Sequence, residues 1–201
     1  MNLADWAEDI ARTTLELPLP RRWAHSQGVA AQARTLAPIL GPDADLLTAA
    51  AWLHDIGYAP DLIDTGFHPL DGARYLRDTQ EASETLCQLV AHHSCAINEA
   101  SERGLANALT QEFGAAPRNL TDALTYCDMT TGPDGRHLRV GQRLAEIHAR
   151  YGPDHLVSRS ITRSTPHITG SVTRVTRKLA ACAPAGGPST PARVGVLVSV
   201  S

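Results

Sequence analysis

Apolar residues recur at spacings of three and four along most of this chain, beginning with Leu3, Trp6, Ile10 and Leu17. This spacing places them on one side of an α-helix and is typical of amphipathic helices. No pair of β-strands is evident within the first 180 residues, so the pattern predicts an all-α fold. The predicted helices span approximately residues 2–17, 21–40, 43–56, 69–78, 82–93, 97–113, 119–130, 138–150, 154–163 and 167–181.

Proline and glycine mark several of the predicted helix ends. The LPLP stretch at residues 17–20 ends the first helix, because proline cannot continue a helix interior. Gly57 is expected to follow the third helix in a left-handed conformation, and TTGPDGR at residues 130–136 predicts a loop. We expect residues 1–181 to form one helical domain with its motifs in residues 21–131. Residues 182–201 are rich in proline, glycine, serine and threonine, which predicts a flexible tail.

Composition and charge narrow the class of protein. The chain has 201 residues, of which 43% are apolar, and this is enough for one sizeable core. Its net charge is −3 and its isoelectric point is about 6.3. No global basic field is therefore available to hold nucleic acid, and we expect no nucleic-acid partner. The four cysteines stand far apart, which favours buried thiols over a zinc knuckle.

The sequence also bears on the compartment of the protein. Acidic residues stand near the N-terminus where a signal peptide would have lysine or arginine, and no apolar signal core follows them. No stretch reaches the roughly 18 consecutive apolar residues of a membrane span. We expect a soluble, cytoplasmic protein with no membrane partner. An exposed apolar helix face would also permit a homodimer.

Histidine and aspartate recur in otherwise apolar helices. In AWLHDIGYAP, residues 51–60, His54 and Asp55 are adjacent at the end of an alanine-rich run, and such groups need partners when they are buried. A single histidine in a helix is more often an ordinary core or surface residue than a ligand. An ordered set is harder to explain in that way, because facing helices can project imidazoles and carboxylates into one metal site. The set is His25, His54, Asp55, His68, His92, His93 and Asp128.

Five segments carry a resemblance to a known family. RRWAHSQGVA, AAWLHDIGY, HPLDGARYL, VAHHS and LTYCDMTTG, within residues 21–131, resemble in order the motifs of the HD superfamily of metal-dependent phosphohydrolases. The resemblance implies a helical bundle that binds one or two divalent ions, such as Mn, Fe, Mg, Co, Ni or Zn. It implies that the first ion is held by His25, His54, Asp55 and Asp128. A second ion would be held by His68 and either His92 or His93, with Asp55 bridging. His93 is favoured because a small hydroxyl residue follows it.

The resemblance also implies a reaction. Water activated by a divalent metal would attack a phosphate ester or anhydride of a nucleotide or another small phosphorylated metabolite. Asp55 would accept a proton from the water, and His92 would stabilise developing charge or protonate the leaving group. Many members have the sequence HDIGK, whereas Tyr58 stands at the lysine position here. Arg22, and less securely Arg74, would bind phosphate in place of that lysine.

Two other functions stay open at this point. Some proteins with this fold use the same six ligands to hold two iron ions for oxidation, and nothing in the ligand set excludes an oxygenase. A non-catalytic module that binds a ligand or regulates a partner is the second alternative. Retention of all six candidate ligands favours the hydrolase over this alternative.

Overall fold

Helices account for nearly all the secondary structure of residues 2–182, which are the residues that the computed structural model describes. In chain order they are α1 (Leu3–Leu15), α2 (Pro20–Arg34), α3 (Ala37–Leu40), α4 (Ala44–Leu53), α5 (His68–Asp78), α6 (Glu84–His92), α7 (Ala96–Glu102), α8 (Ala106–Glu112), α9 (Arg118–Met129), α10 (Val140–Tyr151) and α11 (Leu156–Cys182). Between residues 2 and 182 there is an isolated bridge from Thr131 to His137 but no strand. The predicted all-α fold is confirmed. No helix in this part of the chain is both long and apolar enough to cross a bilayer.

Helix α4 lies at the centre of the core. Residues 47–53 are all buried, and a helix that is buried on every side belongs inside a bundle rather than on its surface. The helix packs against α1, α2, α6 and α9. Alanines at positions 49–51 keep it thin enough for these neighbours to approach closely. The C-terminal end of α4 therefore delivers His54 and Asp55 into the middle of the bundle.

Two predicted helices are each divided in the structure. The helix predicted over residues 21–40 ends at Arg34, because Pro38 has no amide hydrogen to donate to the Arg34 carbonyl. The helix predicted over residues 97–113 is split into α7 and α8 at Gly104, which has a φ of +74°. A left-handed residue cannot lie inside a right-handed helix, so the chain turns there.

The predicted break near Pro166 is wrong. Residues 156–182 form one helix with Pro166 inside it, although proline removes a backbone hydrogen bond. One side of this helix is buried from Ser160 through Ser164 and Ile168 to Val175, and it packs on α7, α9 and α10. Tertiary packing therefore outweighs the local preference. Of the predicted tail, residues 183–201 lie outside the described part of the chain.

Gly57 allows close backbone packing and does not form the predicted left-handed helix cap. Its φ is not positive. A Cβ at this position would lie 2.1 Å from the carbonyl oxygen of His68, and one at Gly72 would lie 3.1 Å from the amide nitrogen of Gly57. The missing side chains let α5 pack directly on the turn after α4. This contact brings His68 beside Asp55.

A second close backbone approach fixes the loop at residues 130–136 against α2. A Cβ on Gly28 would lie 2.3 Å from the carbonyl oxygen of Gly135, and Gly135 itself has a φ of +79°. The same loop supplies the Gly132 carbonyl oxygen, which lies 2.9 Å from Nδ1 of His25. The absence of side chains at Gly28 and Gly135 therefore helps to orient a candidate ligand.

We expect Gly28→Ala to lower the free energy of unfolding by about 1–3 kcal/mol, because the added methyl group would clash with backbone that cannot easily move. Gly141→Ala is the matched control, since it lies in α10 and the space that a Cβ would occupy there has no other atom within 4 Å. That substitution should be neutral or stabilise the helix by up to about 1 kcal/mol. Urea denaturation followed by circular dichroism measures both. Equal effects would show that the contact between Gly28 and Gly135 is not tight.

Helix α11 is attached to α9 by a buried carboxylate. Asp122 accepts hydrogen bonds from Ser171 Oγ at 2.8 Å and from Arg174 Nε at 2.7 Å. Burial alone would raise the pKa of Asp122, but the bonds from Arg174 and Ser171 outweigh burial and hold the pKa below its usual value. The carboxylate is therefore ionised in the folded protein and stabilises the packing of α11.

We expect Asp122→Asn to lower the free energy of unfolding by about 1–3 kcal/mol at pH 7. A depressed folded-state pKa gives stability that is present above the unfolded pKa of about 3.9 and is lost as the pH falls through the folded-state value. The difference between wild type and variant should therefore shrink on going from pH 7 to about pH 3.5. Denaturation at both pH values measures it. Asp9→Asn, on the exposed side of α1, is the control and should change stability by less than about 0.5 kcal/mol.

Candidate metal centre

The six favoured ligand candidates converge from distant parts of the chain into two groups. His25 of α2, His54 at the end of α4 and Asp128 of α9 form the first group. Asp55, His68 of α5 and His93 after α6 form the second group. Within each group the candidate ligand atoms lie within 4.8 Å of one another. Each group can therefore hold a metal ion.

Asp55 lies between the two groups. Its Oδ2 is 3.3 Å from His54 Nε2 and 3.8 Å from His25 Nε2, both in the first group. Its Oδ1 is 3.3 Å from His68 Nε2 and 3.9 Å from His93 Nε2, in the second group. The two oxygens of this carboxylate thus face different groups, which is the placement that a bridging ligand requires. Because α4 ends at Leu53, both His54 and Asp55 reach the site from the turn beyond the helix.

Three of the histidines are oriented by backbone carbonyl groups. Nδ1 of His25 lies 2.9 Å from the Gly132 oxygen, Nδ1 of His54 lies 2.8 Å from the Ala51 oxygen, and Nδ1 of His93 lies 2.7 Å from the Val90 oxygen. A carbonyl oxygen only accepts, so Nδ1 carries the hydrogen in each ring. This leaves Nε2 directed towards the other ligands. Metal-binding histidines are commonly held in this way.

One atom of the site lacks a well-aligned hydrogen-bond partner. His54 Nε2 is buried and makes no well-aligned hydrogen bond among residues 2–182, although Asp55 Oδ2 lies 3.3 Å away. Leaving a buried polar atom unpaired costs about 1–3 kcal/mol. The atom lies among carboxylates and imidazoles, which are the ligands that divalent first-row metals accept. The donor set therefore fits a divalent cation.

Asp55 and Asp128 are both ionised, so the centre carries negative charge that attracts a cation. Burial opposes ionisation of Asp55, but Arg22 and His54 hold its pKa well below the usual range. Burial likewise opposes ionisation of Asp128, yet its bond with His25 keeps that pKa low. Burial lowers the pKa of His54, but the Asp55 carboxylate more than offsets this and the pKa is raised. For His93, burial and the neighbouring His68 lower the pKa to about 3, so its Nε2 lone pair is available at neutral pH.

Tyr58 joins two functional side chains. Arg22 Nη1 donates to Asp55 Oδ2 at 2.6 Å, and its guanidinium carbon lies 3.9 Å from the centre of the Tyr58 ring. The same ring stacks on the His68 imidazole, with the two ring centres 3.9 Å apart. Burial raises the pKa of Tyr58, so the phenol stays neutral. Tyr58 thus supplies no charge at the lysine position but holds the arginine that does.

Two other residues named from the sequence, His92 and Arg74, lie outside the two ligand groups. His92 Nε2 donates to the Phe113 carbonyl oxygen at 2.8 Å. His92 does not line the cavity that contains Asp55, His68 and His93, so it has no contact with a group that would react there. Between His92 and His93, the structure brings His93 into the site. Arg74 is paired with Glu112 at 2.6 Å.

Sequence reasoning missed two contributors to the site. Ser94 donates a hydrogen bond to Oδ2 of Asp128, and both Ser94 and Cys95 have positive φ, at 47° and 63°. Non-glycine residues in this region cost about 1–3 kcal/mol each and concentrate at functional sites. Arg143 of α10 is buried, with Nη2 3.9 Å from Asp128 Oδ1. The position of Ser94 directly after the two histidines is a weak sequence signal for a role in the site, whereas no sequence motif indicates Arg143.

The candidate centre lines a cavity with about 660 Å³ of free space, including its solvent-open mouth. Its polar lining includes Asp55, His68, His93 and Asp128. Helices α9, α10 and α11 also contribute apolar lining residues, which we call the apolar wall: Met129, Ile147, Tyr151, Val157 and Ile161. A ligand can therefore place an anionic group at the centre and an apolar or aromatic part against this wall.

Comparison with known protein families assigns the chain to one of them. A model of the HD domain matches residues 22–128, which is more than half of the chain. The protein therefore belongs to the HD domain family. This confirms the family inferred from the five motifs.

Two curated relatives share part of this region. A 75-residue segment is 39% identical to Ribonuclease Y of Rhodopirellula baltica and covers 37% of this chain but 14% of that protein. A 70-residue segment is 39% identical to Ribonuclease Y of Rubrobacter xylanophilus and covers 35% of this chain and again 14% of the relative. The chain thus spans a small part of either relative. No solved structure matches.

The two groups predict two bound ions, each dependent on different histidines. After equilibrium dialysis against Mn²⁺, we expect about two ions per wild-type chain and about one in His25→Ala and in His68→Ala, because each substitution removes a ligand from one group. Elemental analysis by mass spectrometry measures the content. His167→Ala, at an exposed position of α11, is the control and should keep both ions. Full occupancy in His25→Ala and His68→Ala would contradict the assignment.

Proposed function

We propose that this protein is a metal-dependent phosphohydrolase. The observation that carries the proposal is the convergence of His25, His54, Asp55, His68, His93 and Asp128 in one buried site. Asp55 faces both groups of ligands, and the unpaired Nε2 of His54 fits a cation. Membership of the HD domain family supports the same activity.

The proposed ligand sets follow the two groups. His25, His54 and Asp128 would hold one divalent ion, and His68 and His93 a second, with Asp55 in reach of both. Bound there, divalent ions would lower the pKa of water and neutralise charge on phosphoryl oxygens. Low carboxylate pKa values and a neutral His93 provide ligands in the protonation states that metals require.

The remaining roles belong to side chains next to the ligands. Arg22 would bind a phosphoryl oxygen, since guanidinium is well suited to phosphate and its charge is held at the cavity wall by Asp55 and Tyr58. Asp55 would orient the attacking water by accepting a hydrogen bond at a carboxylate oxygen. Because the pKa of Asp55 is low, its carboxylate suits this role better than that of a general base that takes up a proton from the water. The sequence-based role of His92 at the leaving group has no support in its placement.

A small phosphorylated metabolite, such as a nucleotide, is the proposed substrate. The cavity beside the centre combines polar candidate ligands with the apolar wall. This wall suits a base or another flat group, while the phosphate would lie near Arg22. The four cysteines are unpaired, which agrees with the proposed cytoplasmic location.

Hydrolysis of a phosphodiester in RNA is a second candidate. It is favoured by the name of the two curated relatives, Ribonuclease Y, which share a segment of 70 to 75 residues with this chain. The same centre serves either reaction, since both break a bond between phosphorus and oxygen. The negative net charge of the whole chain gives RNA no general attraction, so binding would depend on local positive charge.

The test is hydrolysis by the metal-reconstituted chain. We expect phosphate release from a panel of nucleotides, or cleavage of a short RNA, that stops when the metal is removed. Asp55→Asn should lower kcat by at least about 100-fold, because it weakens both ligand groups together. Asp61→Asn, at an exposed position of the short 3-10 helix Pro60–Leu62, is the control and should keep full activity.

Other outcomes are equally informative. Full activity in a folded Asp55→Asn protein, or after complete metal removal, would overturn the proposal. Oxygen consumption that requires iron, without phosphate release, would indicate the oxygenase instead. Metal binding with neither reaction would indicate a binding or regulatory module.

A further inference from the structure

A second pocket adjoins the candidate metal centre at the start of α2. We call it the arginine pocket, because its lining includes Arg21, Arg22, Arg143 and Arg150. No carboxylate of residues 2–182 is among its lining residues. The other side chains that line it are largely apolar and include Pro20 and Pro133. Four guanidinium groups around one concave surface form an environment that attracts anions.

The arginine pocket shares a wall with the cavity of the candidate centre. Arg22, Arg143 and Arg150 line both spaces. His25, a candidate ligand, also lines the arginine pocket. The two spaces are therefore adjacent, and a molecule bound at the centre lies beside three of the arginines that line the arginine pocket.

The charges of the arginine pocket are only partly compensated. Arg22 is paired with Asp55, while Arg143 and Arg150 both bind Glu146. Asp128 is 3.9 Å from Arg143. Arg21 is exposed, and no carboxylate lies within 4 Å of it in the described part of the chain. The four guanidinium groups are thus offset by three carboxylates, and two of these, Asp55 and Asp128, are candidate metal ligands.

Backbone structure adds to this positive character. Helix α2 begins at Pro20, so its first turn, with Arg21 and Arg22, lines the arginine pocket. The N-terminal end of a helix carries partial positive charge and attracts phosphate. Arg143 is buried, and its Nε has no hydrogen-bond partner among residues 2–182. Charge from side chains and charge from the helix end therefore act on the same space.

We propose that the arginine pocket binds a second phosphate group of the substrate while the reacting phosphate lies at the candidate metal centre. The inference rests on the proposed phosphohydrolase function and names its substrate class, a molecule with at least two phosphate groups. A nucleoside oligophosphate meets this requirement, and so does RNA with its successive backbone phosphates. A substrate with one phosphate leaves the arginine pocket without its anion.

The first test measures binding without turnover. The full chain, depleted of metal and dialysed, is titrated with inorganic tripolyphosphate in a calorimeter. We expect Arg21→Gln to weaken binding by about fivefold or more, because it removes a guanidinium contact with phosphate. Arg177→Gln, an equal change of charge at an exposed position of α11, is the control and should change affinity by less than about twofold. Inorganic monophosphate should bind more weakly than tripolyphosphate to the wild type.

A second titration distinguishes the two sources of the phosphate. A five-nucleotide RNA without terminal phosphates carries only diester groups. Tripolyphosphate binding that depends on Arg21, without RNA binding, supports an oligophosphate substrate. RNA binding that depends on Arg21 supports the inference with RNA as the source. If neither probe binds at millimolar concentration, or if both bind Arg21→Gln as they bind wild type, the inference is wrong. Phosphate release by the metal-loaded chain is measured separately, so the proposed function can stand while this inference fails.

Discussion

A buried carboxylate can stay ionised only when positive groups or hydrogen-bond donors surround it, and Asp55 is the carboxylate on which this site depends. Arg22 binds it at 2.6 Å, and His54 and His68 each approach it within 3.3 Å. These partners come from α2, the end of α4 and the start of α5. The charge of one side chain thus specifies how three segments of the bundle must meet. The same arrangement gives a cation a ready set of ligands.

Close backbone contacts allow these three segments to pack around Asp55. Gly57 and Gly72 let α5 approach the turn that carries Asp55, and Gly28 with Gly135 brings a loop against α2. Carbonyl groups then fix His25, His54 and His93 through Nδ1. Rigid elements therefore set the ring orientations, and little of the geometry is left to flexible side chains. The left-handed Ser94 and Cys95 show that some backbone strain accompanies this arrangement.

The all-α fold and the family could be predicted from the sequence, because helical periodicity and the ordered His and Asp motifs are local signals, whereas the ligand set stays a prediction that the family resemblance implies. The all-α fold and the family are confirmed, and His93 lies with the other candidate ligands as expected. The features that the sequence could not reveal have a common cause. The continuity of α11 through Pro166 and the location of His92 depend on packing partners far away in the chain. Arg143 belongs to no motif, so only the folded structure places it beside Asp128.

The apolar wall of the cavity comes largely from α10 and α11, which contribute none of the candidate ligands. The match to the HD domain ends at residue 128, before either helix begins. Residues such as Ile147 and Ile161 can therefore change during evolution without disturbing the atoms that would hold a cation. Two proteins with the same motifs can therefore present different surfaces to a ligand, because part of the cavity lining lies outside the segment that identifies the family.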